Sequence, residues 1–303
     1  MATAMRLSRA EHERLARGFR WRRYLLAYLF IAPSMFFLLL VLLIPSLWVV
    51  YLSFHKGGIL EPVRFVGLAN WQTIFKDRVA LLAIRNTLLY MLMAIPTVFA
   101  IGLGLALLLK RIILGNTFFK AVLYFPTLTP YVMAALIWTF IIHPEFGVLN
   151  VLLRLSGFNP LNWLSPDLAL VTIAMLEVWR GVGFWTLLFL AALISLPEEL
   201  YQAAKVDGAS SVSQFWHITL PLLRPTFAFA VVMATIWNFQ VFDSIIILTD
   251  GGPNYSTASV AWYVYKQTFT FSNVGVGAAM SVLMLLAILV LTLVQLRLLR
   301  RRW

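Results

Sequence analysis

No cysteine occurs among the 303 residues, so the chain can form neither a disulfide nor a thiolate metal site. Charge is scarce too: Asp, Glu, Lys and Arg make up 12% of the sequence, about half the usual share. The four histidines (His12, His55, His143 and His217) are scattered without metal-ligand spacing. No Gly-x-x-x-x-Gly-Lys-Ser/Thr loop is present, so nucleotide phosphates cannot be cradled in the P-loop manner. Without a Gly-x-Ser-x-Gly elbow or a His-Glu-x-x-His pair, an intramembrane hydrolase has no support either. What fills the chain is apolar: 61% hydrophobic residues and a mean hydropathy of +0.87. That excludes a soluble domain and predicts an all-α, polytopic membrane protein.

A helix needs about 20 apolar residues to cross the hydrocarbon core. Six stretches qualify, at roughly 25–54, 86–109, 121–142, 168–196, 226–249 and 274–296. Together they delimit a six-helix transmembrane domain over 25–296, between basic tails at 1–24 and 297–303. The first lacks the short apolar core and small-residue cleavage site of a signal peptide, and is expected to remain as a span. Orientation follows from Lys and Arg. Sixteen cations fall on one side, including the seven arginines from Arg6 to Arg23, Lys110, Arg111, Lys120, Lys205, Arg224 and the arginines from Arg297 onward; seven fall on the other. The positive-inside rule then puts both termini in the cytoplasm, as an even number of spans requires. The same asymmetry explains the net charge of +12 without nucleic acid, and the tails suit anionic lipid at ~1 kcal/mol per cation.

The most ordered polar stretch lies between the fourth and fifth spans, at 197–222. Ser195 with Glu198 can form a capping box, Gly208 supplies a left-handed turn, Ser211 with Gln214 repeats the cap signature, and Pro221 is expected to stop the second helix. An ordinary amphipathic surface hairpin would use the same signals. The segment Glu198-Glu199-Leu200-Tyr201-Gln202-Ala203-Ala204-Lys205-Val206-Asp207-Gly208, continuing to Ile218-Thr219-Leu220-Pro221, resembles the EAA loop of bacterial ABC importer permeases. Ala203, Ala204, Gly208, Ile218, Leu220 and Pro221 fall on the family pattern of Glu-Ala-Ala, three residues, Gly, nine residues, Ile-x-Leu-Pro. Gln202 departs from it where Glu is usual, which loses a charge while keeping an acceptor. Phe65-Val66-Gly67-Leu68-Ala69-Asn70-Trp71 and Thr249-Asp250-Gly251-Gly252-Pro253-Asn254 resemble segments of the carbohydrate branch of the same family. Taken only as physics, Asp250-Gly251-Gly252-Pro253 is a turn signal that ends a helix abruptly.

Polar residues inside spans are the remaining candidates. Glu177 and Arg180 lie three apart, share a helix face and can pair. Asn238 sits at a depth comparable to Glu177, with Trp237, Gln240 and Asp243 at helical spacing on one face of the fifth span. A charge at mid-bilayer costs ~2.5–3.5 kcal/mol on insertion scales, so these groups should face protein or water. An aromatic plate beside hydrogen-bonding groups suits a sugar; helix–helix adhesion is the structural alternative. Gly275, Gly277, Ala278 and Ala279 read as close-packing positions.

The resemblance implies a permease subunit in a bacterial or archaeal inner membrane, importing a di- or oligosaccharide. Its partners would be a second homologous permease, an ABC ATPase dimer carrying ATP and Mg, and an extracytoplasmic solute-binding protein. No cofactor is implied on this chain. Gln202, Ala203, Ala204, Asp207, Gly208, Ile218, Leu220 and Pro221 would form the ATPase-coupling loop. Glycerol-3-phosphate or another polyol is an alternative substrate. A proton-coupled secondary transporter using Glu177 or Asp243 is a more distant rival, and no internal inverted repeat supports it.

Overall fold

A computed structural model describes residues 24, 27–58, 62–111 and 115–300. The arginines up to Arg23, and Arg301 and Arg302, lie outside them. Among the described residues the chain is mostly helix, with almost no strand. Five helices are long and apolar enough to cross a membrane, six if one bent pair counts as a single span.

The first, α1 (Ala27–Ser53), belongs up to Tyr51 to a compact unit of its own. Pro45 has no N–H for the helical ladder, and Leu38–Leu43 just before it widens into a π-helical turn. Ser46 donates its hydroxyl to the Leu42 carbonyl at 2.6 Å, within that irregular stretch. Trp48 and Tyr51 stack at 5.0 Å.

The second unit starts at Leu52. A small antiparallel pair, β1 (His55–Lys56) and β2 (Arg64–Phe65), corrects the all-α expectation in one detail. Short α2 (Ala69–Lys76) follows, and its buried Asn70 donates to the carbonyls of Ser53 and His55. Then comes α3 (Arg78–Arg111), which begins eight residues before the expected second span, and α4 (Asn116–Leu128) and α5 (Tyr131–Ile141). Two more elements lead to the middle of the chain: α6 (Val148–Leu155) and α7 (Ala169–Ile194). The polar stretch holds α8 (Glu198–Val206), α9 (Ser211–Gln214), a π-helical turn (Phe215–Thr219) and α10 (Leu220–Leu222). The chain ends with α11 (Arg224–Phe239), α12 (Asp243–Leu248), α13 (Val260–Tyr265) and α14 (Val274–Arg300). The last helix thus runs on through most of the expected C-terminal tail.

Two expected spans are broken. The third splits into α4 and α5, bent by 100°. Pro130 is the cause: it donates no hydrogen bond and drives Thr129 into the extended region, at ψ 129°. The fifth is interrupted between Phe239 and Asp243, where Phe242 takes φ −142° and ψ −57°. Both breaks free backbone polar groups within segments apolar enough to span a membrane, where they are tolerated only if protein or a cavity satisfies them.

The core has two parts. One joins α3, α7 and α11 through Phe99, Trp185, Phe189, Leu193, Leu223 and Ala230. The other joins α3, α5, α7 and α12 to α14, around Tyr90, Trp138, Ile173, Ile245, Tyr263 and Met280. The small-residue expectation at the start of α14 holds. A Cβ on Gly275 would lie 2.0 Å from the His55 carbonyl oxygen, and one on Gly277 2.1 Å from the Thr268 hydroxyl.

Candidate functional site

The polar stretch at 197–222 folds as two helical segments joined at Gly208, whose φ of +77° is the left-handed conformation the sequence predicts. Capping differs from expectation. Ser195 turns back to donate to the Ala192 carbonyl, and Pro197 occupies the N-terminal cap of α8 without a side-chain bond. Ser210, not Ser211, caps α9 by accepting from the Ser213 amide. Gln214 turns inward instead, donating to the Ala209 carbonyl at 2.9 Å. Pro221 does not stop the helix. It sits in the first turn of α10, where its missing N–H costs nothing, and the preceding π-helical turn absorbs the irregularity.

Exposure divides α8 into two faces. Gln202, Ala203 and Asp207 are exposed, and Val206 is 89% exposed; Tyr201 and Ala204 are half-buried beneath. Val206 and Ala203 thus leave an exposed apolar strip on this face. Ile218 and Leu220 are half-buried on the second segment, while Trp216 stands out from it.

The intramembrane candidates converge in part. Glu177 from α7 and Trp237, Asn238, Gln240 and Asp243 from the broken fifth span line one cavity of about 60 Å³, together with Tyr90 and Tyr131. The expected single helical face does not exist, because α11 ends at Phe239, just before Gln240, and Asp243 begins α12. The break itself turns these residues toward the space that Glu177 faces. Asn238 is 4% exposed; its amide donates to the Ala234 carbonyl, and its Oδ1 has no partner. A buried acceptor left empty costs about 1–3 kcal/mol, so this oxygen is suited to a hydroxyl or water donor. Trp237 is 46% exposed and is held edge-on by Phe184, with Trp185 also against it.

Glu177 and Arg180 do not pair directly. Tyr131 stands between them, donating its hydroxyl to Glu177 Oε2 at 2.9 Å while the Arg180 guanidinium lies 3.5 Å over its ring. Arg180 donates to the Thr127 and Thr129 carbonyls, which the break at Pro130 frees, and does not line the cavity. It thereby places a cation at the end of α4. Sequence reasoning passed over Tyr90 and Tyr131 because a lone tyrosine in an apolar helix looks like core. Pro130 was the available signal that Tyr131 begins a new helix.

A third ordered region follows α12. Asp250 accepts from Trp262 Nε1 at 3.0 Å and pairs with Lys266 at 2.9 Å, and Thr249 and Thr257 share a hydrogen bond of 2.7 Å. Asn86 of α3 donates to the carbonyls of Tyr255 and Ala258, and Thr87 accepts from the Val260 amide. The Gly-Gly-Pro turn is thereby bolted to α3.

Residues 118–303 match the family described as "Binding-protein-dependent transport system inner membrane component". The chain belongs to that family. Members with curated names resemble it over most of their length. The sulfoquinovosyl glycerol transport system permease protein SmoG of Agrobacterium fabrum is 35% identical over 96% of this chain and 97% of its own. The trehalose/maltose transport system permease protein MalF of Thermococcus litoralis is 32% identical over 84% and 86%. Among solved structures, a bacterial ABC transporter involved in import of the acidic polysaccharide alginate superposes with a TM-score of 0.83 at 25% identity, covering 95% of this chain and 99% of that one. This family member is therefore a multi-pass permease component of a transport system.

Proposed function

We propose that this chain is one of two permeases in an ATP-driven importer of a di- or oligosaccharide. It crosses the membrane six times with both termini in the cytoplasm, counting α4 and α5 as one broken span. Its 197–222 loop seats on an ABC ATPase, which holds the ATP and Mg. A solute-binding protein delivers sugar from outside, and a second permease completes the pathway. The relatives' sugar substrates and the family membership support this reading.

One observation carries the pathway assignment. Candidates picked from two distant segments line a single cavity, with the unpaired Asn238 oxygen buried beside it and Trp237 at its edge. Sugars present apolar C–H faces to an aromatic ring and hydroxyls to amides and carboxylates, and these side chains match that chemistry. At about 60 Å³ the cavity has room for a water or two, so a sugar would meet these side chains only where the cavity opens. Charge separates the substrate alternatives. The cavity is lined by Glu177 and Asp243 and, among the described residues, by no cation, and Arg180 is turned to the α4 end. A phosphate there would meet the acidic side chains of Glu177 and Asp243 and no cation, which disfavours glycerol-3-phosphate.

The test is uptake into proteoliposomes by the complex purified through a tag on this chain, with maltose and glycerol-3-phosphate as probes. ATP-dependent uptake of the neutral sugar, reduced about tenfold by Asp243→Ala through loss of a charged hydrogen-bond partner, supports the reading. Preference for glycerol-3-phosphate would reverse the charge argument. Uptake of either probe without ATP would remove the importer assignment altogether.

A further inference from the structure

We infer that Tyr201, steadied by Lys110, is the positioning residue through which movement of α8 reaches the membrane helices. This rests on the proposed coupling role of the 197–222 loop and adds the internal linkage behind its docking surface.

Three elements meet at this point. Lys110 lies in the last turn of α3, and its ammonium donates to the Leu193 carbonyl at 3.1 Å. That carbonyl is in the final turn of α7, where four carbonyls have no partner within the helix. The same ammonium sits 5.1 Å from the centroid of the Tyr201 ring, inside the range of a cation–π contact. One side chain therefore joins the ends of α3 and α7 to α8. On its other side the Tyr201 hydroxyl lies 2.9 Å from Thr219 Oγ1, which is buried. Thr219 closes the π-helical turn that leads through α10 into α11. Tyr201 is thus the node between α8 and two helical arms, α3 with α7 on one side and α11 on the other.

The surroundings make these contacts matter. An open cavity of about 680 Å³ lies around Tyr201, lined among others by Leu107, Lys110, Leu193, Gln214 and Thr219. Side chains do not fill this space, so α8 is not wedged against the spans by continuous packing. A push on the exposed Gln202, Ala203 and Val206 face must then travel through the few directed contacts that cross it. Neither Lys110 nor Tyr201 lies on the exposed docking face of α8, and a partner need not touch them.

The experiment uses the native complex, purified through a tag on this chain and supplied with Mg-ATP. The readout is the ratio of ATP hydrolysis with and without the solute-binding protein. Lys110→Met should lower that stimulation at least fivefold, with the ATPase still co-purifying. Lys110→Arg should restore it to within twofold, because a guanidinium keeps both the donor and the cation over the ring. Tyr201→Phe keeps the ring but loses the Thr219 bond, and should lower stimulation about twofold to threefold. Wild-type stimulation in both Lys110→Met and Tyr201→Phe would overturn the inference. So would dispersal of the Lys110→Met complex, since that marks a brace for assembly. A wild-type complex that contains no ATPase would instead overturn the coupling reading beneath it.

Discussion

The two loops that flank the fifth span look alike in sequence and are built in opposite ways. The EAA-like loop before it and the Gly-Gly-Pro loop after it both combine short helices, glycine, aspartate and a lysine. In the first, α8 contains no buried residue, and its contact face is small and bare. In the second, Thr257, Ala258, Ser259, Val260, Trp262 and Tyr263 are all at least nine-tenths buried. Four of its residues, Asp250, Gly251, Asn254 and Tyr255, hold positive φ, three of them carrying a Cβ. Such backbone persists only where its surroundings over-determine it. Here Asn86, Thr87 and Lys266 do so. One loop leaves an exposed face uncovered; the other is finished by its own chain.

The sharpest way to break that contrast is to add the same bulk to both. Ala258 has no exposed surface, so Ala258→Leu should destabilise the chain by about 1–3 kcal/mol through overpacking. Ala203 is exposed, and Ala203→Leu should leave thermal unfolding unchanged while loosening the ATPase. Unfolding curves in detergent and co-purification of the ATPase measure the two effects. Equal destabilisation by both would erase the distinction.

Next in size is Gly208→Val. A Cβ there meets nothing within 4 Å, so any effect must come from the left-handed backbone alone. The strain is about 1–2 kcal/mol, more for a β-branched residue, enough to depopulate the turn about fivefold to thirtyfold. Transport per ATP should fall by a comparable factor. Unchanged coupling would mean that the angle between α8 and α9 does not matter.

How much of this was legible follows from where the information resides. Apolar runs gave six segments that correspond to α1, α3, α4 with α5, α7, α11 with α12, and α14, because membrane insertion is decided by local hydropathy. Gly208 was legible for the same reason: positive φ is a local demand. The breaks were harder. Pro130 announces one in advance, whereas the turn at Gln240–Phe242 has no proline or glycine and arises from tertiary packing. Glu177 and Arg180 mislead because spacing brings them to one face, yet Tyr131, 46 residues away in sequence from Glu177, supplies the better partner for each. The fate of the Gly-Gly-Pro loop was invisible for a similar reason, since Asn86 and Thr87 belong to a different helix. Contacts across more than a hundred residues leave no periodic trace.

The smallest expected effect is at Asp250, and it tests whether the Gly-Gly-Pro loop is held by charge or by packing. Partial burial alone would raise this carboxyl's pKa. The hydrogen bonds from Lys266 and Trp262, with the lysine's charge, outweigh that and leave it below the ordinary aspartate value. A carboxyl with a depressed folded pKa contributes stability above its unfolded pKa, near 4, and loses it as pH falls through the lower folded value. The loop should therefore be indifferent to pH between about 5 and 8 and weaken only below about 4. The carboxylate side chain is 55% exposed, so screening limits its worth to at most ~1 kcal/mol. Asp250→Asn should cost no more than that at neutral pH and should remove the acid-side loss, as read by thermal unfolding at pH 3.5 and pH 7. A much larger cost at pH 7 would mean that this pair, and not the buried hydrogen bonds from Asn86 and Thr87, holds the loop to the helix beneath it.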